Sequence, residues 1–132
     1  MVVDTGALLA VVFHEETGRW VMDRLAEAQR GLVMSTVNYA EALILIRDRQ
    51  PAHADRICEE LRAASIRFVP PSSEQAEIAA AARLRFPLNL GDCFAYALAK
   101  VEDRPLLTLD RDFRNVDLEV LLPPPSVAGR LT

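Results

Sequence analysis

Leu90-Gly91-Asp92-Cys93-Phe94-Ala95-Tyr96-Ala97-Leu98-Ala99-Lys100, followed closely by Leu106-Leu107-Thr108-Leu109-Asp110-Arg111-Asp112-Phe113, reads as an apolar helix and then an apolar strand, each tipped with acid. Acids at a helix mouth and at a strand end fit one architecture above others. In a parallel α/β sheet, strand C-termini and the helix N-termini that follow them frame the ligand crevice.

The chain upstream repeats that alternation. Met1-Val2-Val3 is a short apolar run ending in Asp4, and Thr5 onward reads as an apolar helix. Glu15 to Arg30 sets Trp20, Val21, Leu25 and Ala28 on a helical period, with Gly31 as a stop. Leu32-Val33-Met34 reads as a second strand, and Ser35 or Thr36 can cap a helix from Val37 to Arg49. Pro51 opens a helix to about Ala64, and Arg67-Phe68-Val69 is a third strand closed by Pro70-Pro71. Ser72 or Ser73 can cap a helix from Glu74 to about Leu84, and Phe86 to Gly91 is a loop. The next helix spans Asp92 to Glu102, the fourth strand Leu106 to Thr108 and a last strand Leu118 to Leu122, before the Pro123-Pro124-Pro125 tail. This order predicts an α/β fold, a three-layer α/β/α sandwich with a central, mostly parallel sheet of four or five short strands. One domain over 1–132 accounts for the length.

Composition removes several function classes. Cys58 and Cys93 are two and far apart, so neither a CxxC redox pair nor a four-thiolate zinc site can be built. Both read as packed free thiols, and His14 and His53 read as surface residues. A net charge of −4 argues against binding nucleic acid by overall attraction, although a local site stays open. Of the 15 basic residues only Lys100 is not Arg, which suits bidentate phosphate contacts and equally reflects a GC-rich coding bias. No apolar run, Ala42 to Ile46 included, is long enough to cross a bilayer, and the opening residues lack a secretory pattern. A cytoplasmic location without membrane association is the expectation.

The acids carry the chemistry. Glu41 lies on a helix, Val37 to Ile46, that is apolar almost all round, so the helix is expected to be buried and its carboxylate to need a partner. Taken singly, Asp4 and Asp92 are explained as helix caps, Asp110 as a turn residue and Asp112 as a solvated turn carboxylate. Taken together, three of them stand where a doubly wound sheet presents its crevice. Converging carboxylates repel unless a cation sits among them. An all-oxygen cluster suits Mg²⁺, with Mn²⁺ as an alternative, rather than zinc. Such a site polarises a phosphoryl oxygen, activates a water and stabilises a leaving oxygen, so a phosphodiester is the implied substrate. Other acid sites on α/β folds fit less well. A haloacid-dehalogenase-type phosphatase needs a second Asp two residues after the first, where Gly6 stands; a receiver domain needs an acidic pair and a late Lys; and there is no Gly-rich phosphate loop.

Met1-Val2-Val3-Asp4-Thr5-Gly6-Ala7-Leu8, Asn38-Tyr39-Ala40-Glu41, Gly91 to Ala99 and Leu106 to Phe113 resemble, in order, the four motifs of PIN-domain ribonucleases. The chain is most similar to the VapC toxins of bacterial toxin–antitoxin pairs. The resemblance spans nearly the whole chain and implies that Asp4, Glu41, Asp92 and Asp110 hold the metal. Asp112 would be an accessory carboxylate, so Asp110, Asp112 or both complete the shell. Thr108 would orient the cluster or the attacking water. Gly6, where Ser is common, and Cys93, where Ala is common, depart from the pattern without removing a ligand.

The implied activity is metal-dependent endonucleolytic hydrolysis of RNA, leaving 5′-phosphate and 3′-hydroxyl ends, with no 2′-hydroxyl attack and no His pair required. The implied partners are the RNA substrate, a VapB-type antitoxin and a second copy in a homodimer, with interfaces expected on the opening segment and the helices up to about Leu61. Two alternatives stand beside it: a DNA-directed or structure-specific nuclease of the same metal type, and a non-catalytic PIN-like binding module. Arg19, Arg47, Arg49, Arg83, Arg85 and Arg111 are candidates for guiding a nucleic-acid backbone, and each equally suits a solvated helix face.

Overall fold

The computed structural model describes residues 1–128, so the last residues of the expected domain, 129–132, lie outside the described part. Five strands form one sheet in the order β3-β2-β1-β4-β5, with every neighbouring pair parallel. They are β1 (Val2–Val3), β2 (Leu32–Ser35), β3 (Ile66–Val69), β4 (Leu106–Leu107) and β5 (Val120–Leu121). The helices are α1 (Thr5–Val12), α2 (Gly18–Ala26), α3 (Thr36–Arg49), α4 (Ala54–Ala63), α5 (Ser73–Arg85), α6 (Leu90–Glu102) and α7 (Pro125–Ala128).

The layers follow from the period-two alternation of the strands. Val3, Met34 and Leu107 point to one face and join Leu8, Leu9, Val21, Ile46 and Leu61 of α1 to α4. Val2, Val33 and Leu106 point to the other and join Ala79, Cys93, Tyr96 and Leu98 of α5 and α6. With both faces covered, the central strands need apolar residues at every position, which is why they read as unbroken runs. Both cysteines are buried free thiols and both histidines are exposed, as expected.

Several boundaries move for local reasons. Helix α2 begins at Gly18 rather than Glu15 and ends at Ala26. A Cβ on Gly18 would stand 2.6 Å from the Ala10 carbonyl oxygen, so only glycine lets α2 start against α1. Pro51 to His53 form a turn, and α4 starts at Ala54. Helix α6 starts two residues before Asp92, because Asn89 is its cap. The short α7 begins in the expected proline tail, where Pro125 suits a first helical turn. The expectation that α3 is buried is corrected: it buries Asn38, Ala42 and Ile46 but presents Ile44, 67% exposed, to solvent. Its apolar residues exceed what one face can bury.

Among the described residues no helix is long and apolar enough to cross a membrane.

Candidate active site

Strand β1 ends at the sheet centre, and Asp4 follows it directly. Its backbone N–H completes the parallel ladder to the Leu107 carbonyl at 3.0 Å, which fixes the Cα, while its side chain accepts from Thr5 N–H at 2.9 Å and caps α1. The cap reading of Asp4 is therefore correct, but it occupies only Oδ1. The second oxygen, Oδ2, accepts from the Thr108 hydroxyl at 2.7 Å. Thr108 in turn accepts from Asp110 N–H at 3.0 Å, and Asp110 Oδ1 accepts from Asp112 N–H at 2.9 Å. A line of hydrogen bonds thus runs from the turn after β4 into the acid after β1. The fully buried Phe113 anchors that turn in the core.

Glu41 comes from the second turn of α3 and is held by two donors. Thr5 Oγ1 donates to its Oε1 at 2.8 Å, and the Asn38 amide donates to the same oxygen at 3.0 Å. The carboxylate lies over the first turn of α6, where a Cβ on residue 91 would stand 2.3 Å from Oε2. Gly91 is the residue that makes room for it. Asp92 sits at the third helical position of α6 in a reciprocal capping box: Asn89 Oδ1 accepts from Asp92 N–H at 2.8 Å, and Asp92 Oδ2 accepts from Asn89 N–H at 3.2 Å. Asp92 is thus the partner of the cap, not the cap itself.

Asp4, Glu41, Asp92 and Asp110 line one open cleft of about 400 Å3, with Thr5, Asn89 and apolar Leu9, Leu45 and Leu109 beside them. It opens at the C-terminal edge of the sheet. Asp112 is not brought in: it is exposed on the 3-10 turn Arg111–Phe113 and offers its backbone N–H, not its carboxylate, to the network. Thr108 is buried behind Asp4, where it orients that carboxylate. Thr5, Asn38 and Asn89, unassigned in the sequence reading, complete the set of side chains that hold the acids.

The electrostatics are those of a charge cluster without a counter-ion. None of the ion pairs among the described residues involves the four acids. Burial, opposed by the Thr108 and Thr5 hydrogen bonds and reinforced by Glu41 and Asp110, pushes the Asp4 carboxyl up to about 6. Burial and then the charge of Asp4 push Asp92 up to about 7. Only Asp4 and Asp92 are nearly inaccessible, at 5% and 8% exposure. As placed, no three of the acids among the described residues converge tightly enough to clasp an ion, and Asp4, Glu41 and Asp92 each accept hydrogen bonds from the chain. The donor set nevertheless fits a hard divalent cation: all oxygen, net negative and open on one side.

Of the candidate guiding arginines, Arg19, Arg47 and Arg85 pair with Asp23, Asp55 and Asp117, and Arg49 lies over the Phe13 ring. A second hollow of about 440 Å3, lined by Leu8, Val12, Leu25, Ile57 and Leu61, lies beside the first residues of β2 and β3. It contains none of the four acids.

Residues 1–119 match the PIN domain family. The chain belongs to the PIN-domain family. Among curated relatives, Ribonuclease VapC30 of Mycobacterium tuberculosis is 34% identical, over 94% of this chain and all of that protein. Ribonuclease VapC of Mycolicibacterium smegmatis is 36% identical, over 89% of this chain and 97% of that protein. The fold is also that of a chain in a toxin–antitoxin complex from Klebsiella pneumoniae, with a TM-score of 0.78 at 20% identity over 93% of this PIN domain and 97% of that chain.

Proposed function

We propose that this PIN domain is an endoribonuclease of the VapC type, the toxin of a toxin–antitoxin pair, and that its hydrolysis of RNA depends on Mg²⁺ or Mn²⁺ held by Asp4, Glu41, Asp92 and Asp110. One observation carries the reading: carboxylates from four separate segments meet in one cleft with no cationic side chain paired to them. The names of the VapC relatives support the ribonuclease activity and the toxin role.

A divalent cation bound there would supply electrophilic charge to the phosphate and lower the pKa of water. The chain's own residues do the positioning. Thr108 holds Asp4, Thr5 and Asn38 hold Glu41, and the Asn89 N–H holds Asp92, so these three carboxylates are tethered within the chain beside the cleft and a bound cation would draw them together. Burial and mutual repulsion disfavour ionising Asp4 and Asp92 together, and added positive charge in the cleft would relieve that cost. The reaction forms a bond from water oxygen to phosphorus and breaks the bond to the 3′ oxygen, leaving 5′-phosphate and 3′-hydroxyl ends. Asp112, exposed, acts through its backbone support of Asp110.

A VapB-type antitoxin is the partner, and the apolar hollow between α1, α2 and α4 supports a docking place on the helices up to Leu61. A homodimer completes the reading, supported by Ile44, Leu84 and Leu90, each more than half exposed and left over from the monomer's core. The site of action is the cytoplasm.

The test is cleavage of labelled RNA and of labelled DNA by the purified chain, with Mg²⁺ or with EDTA, and with Asp92→Asn. RNA cleavage that requires Mg²⁺ and falls at least a hundredfold in Asp92→Asn is expected. Cleavage indifferent to chelation and to the substitution contradicts the reading.

A further inference from the structure

Asn38 is fully buried at the third helical position of α3, and both hydrogens of its amide are committed. Nδ2 donates to Glu41 Oε1 at 3.0 Å and to the Gly91 carbonyl at 2.9 Å. The first bond stays within α3, whereas the second crosses to the first turn of α6, one residue before Asp92. Its other end is left without a partner: Oδ1 is buried and accepts nothing among the described residues. An orphaned buried oxygen is costly and calls for an explanation beyond packing. Rotating the amide would supply no second donor for Glu41 and would set an oxygen against two acceptors. The side chain is therefore kept in the orientation that serves Glu41 and α6, at the expense of its own oxygen.

We infer that Asn38 is a positioning residue which sets cation affinity by locking the Glu41 carboxylate against the α6 turn that carries Asp92. This rests on the proposal that the four acids hold a divalent cation. Three features act on the same carboxylate: the Thr5 hydroxyl and the Asn38 amide converge on Oε1, and the missing Cβ of Gly91 leaves space at Oε2. Asn38 is the one that ties both helices. Residues that orient a metal-holding carboxylate without touching the metal commonly govern affinity through that ligand. Of the four acids Asn38 bonds only Glu41, so its effect on the cation should run chiefly through that carboxylate.

The experiment is a Mn²⁺ titration of the full chain, read by the electron paramagnetic resonance signal of free Mn²⁺, with thermal unfolding of the metal-free protein alongside. Wild type, Asn38→Ala, Glu41→Gln and the double variant form a cycle, and Asn38→Ser takes the place of Asn38→Ala if the latter does not fold. Loss of the amide should raise the Mn²⁺ Kd about ten- to a hundredfold. In the Glu41→Gln background the same substitution should change Kd by less than about twofold, because its route is already cut. An Asn38 variant with wild-type Kd, or one whose loss is undiminished when Glu41 is replaced, overturns the inference while leaving the metal reading intact. A wild-type chain that binds no Mn²⁺ overturns both.

Discussion

At the scale of single residues, three acids of the cleft are legible in sequence because they stand near element boundaries, and Glu41 because it is a lone carboxylate on an apolar stretch. Asp4 ends a strand, Asp92 opens a helix and Asp110 follows a strand. Their holders are less legible, because Thr5 reaches Glu41 across 36 residues of chain and Asn38 reaches the Gly91 carbonyl across 53, and only the Asn38–Glu41 pair has a helical spacing that sequence could announce. Asn89 had a readable signal, since Asn-x-x-Asp before an apolar run is a capping pattern. Asp112 looks equivalent to Asp110 in a string of letters, and only the 3-10 turn separates them by aiming one inward and one outward. Gly91→Ala tests the crowding at Glu41. Its Cβ would fall inside the Glu41 carboxylate, so RNA cleavage should drop tenfold or more while stability to urea shifts by less than about 1 kcal/mol, the range of a Gly-to-Ala exchange in a helix. Thr108→Val removes the hydroxyl that serves Asp4 and accepts from Asp110 N–H. Urea unfolding should show a loss of about 1–3 kcal/mol, the cost of unpairing a buried polar group.

At the scale of elements, the strand and helix order follows from alternating short apolar runs and amphipathic stretches, and helix ends are where reading falters. Helix α6 begins two residues early because the reciprocal bonds of Asn89 and Asp92 stabilise its first turn. Asn89→Ala should cost about 1 kcal/mol in urea unfolding, as the loss of an N-cap does, and should also weaken cleavage because the same bonds aim Asp92. Helix α3 is less buried than its apolar composition suggests, since composition does not reveal how many faces a helix covers; Ile44 on its open face is the surplus. The turn after β4 depends on Phe113, whose side chain is wholly in the α5–α6 layer of the core. Phe113→Ala should lower stability by about 3–5 kcal/mol, measured by thermal or urea unfolding, and release the turn that holds Asp110.

At the scale of the whole molecule, a parallel sheet gathers strand ends from distant parts of the chain at one edge, and the cost is concentrated negative charge. Burial and mutual repulsion raise the folded-state pKa of Asp4 from 3.8 to about 6 and of Asp92 from 3.8 to about 7. A carboxyl raised in this way binds more protons folded than unfolded, so its contribution is present below about pH 4 and is lost as pH climbs through 6 to 7. The metal-free protein should therefore be less stable at pH 8 than at pH 5, by on the order of a few kcal/mol for the coupled pair, and should melt at a lower temperature at pH 8. Added Mn²⁺ should restore the loss at pH 8 and do little at pH 5, where the carboxyls are protonated. A metal-free chain whose melting temperature rises from pH 5 to pH 8 runs against this picture. The most direct measurement of the cleft's chemistry is the identity of the RNA ends after cleavage in Mg²⁺. Hydrolysis by a water activated among Asp4, Glu41, Asp92 and Asp110 predicts 5′-phosphate and 3′-hydroxyl ends that vanish with Asp92→Asn; 2′,3′-cyclic phosphate ends would contradict it.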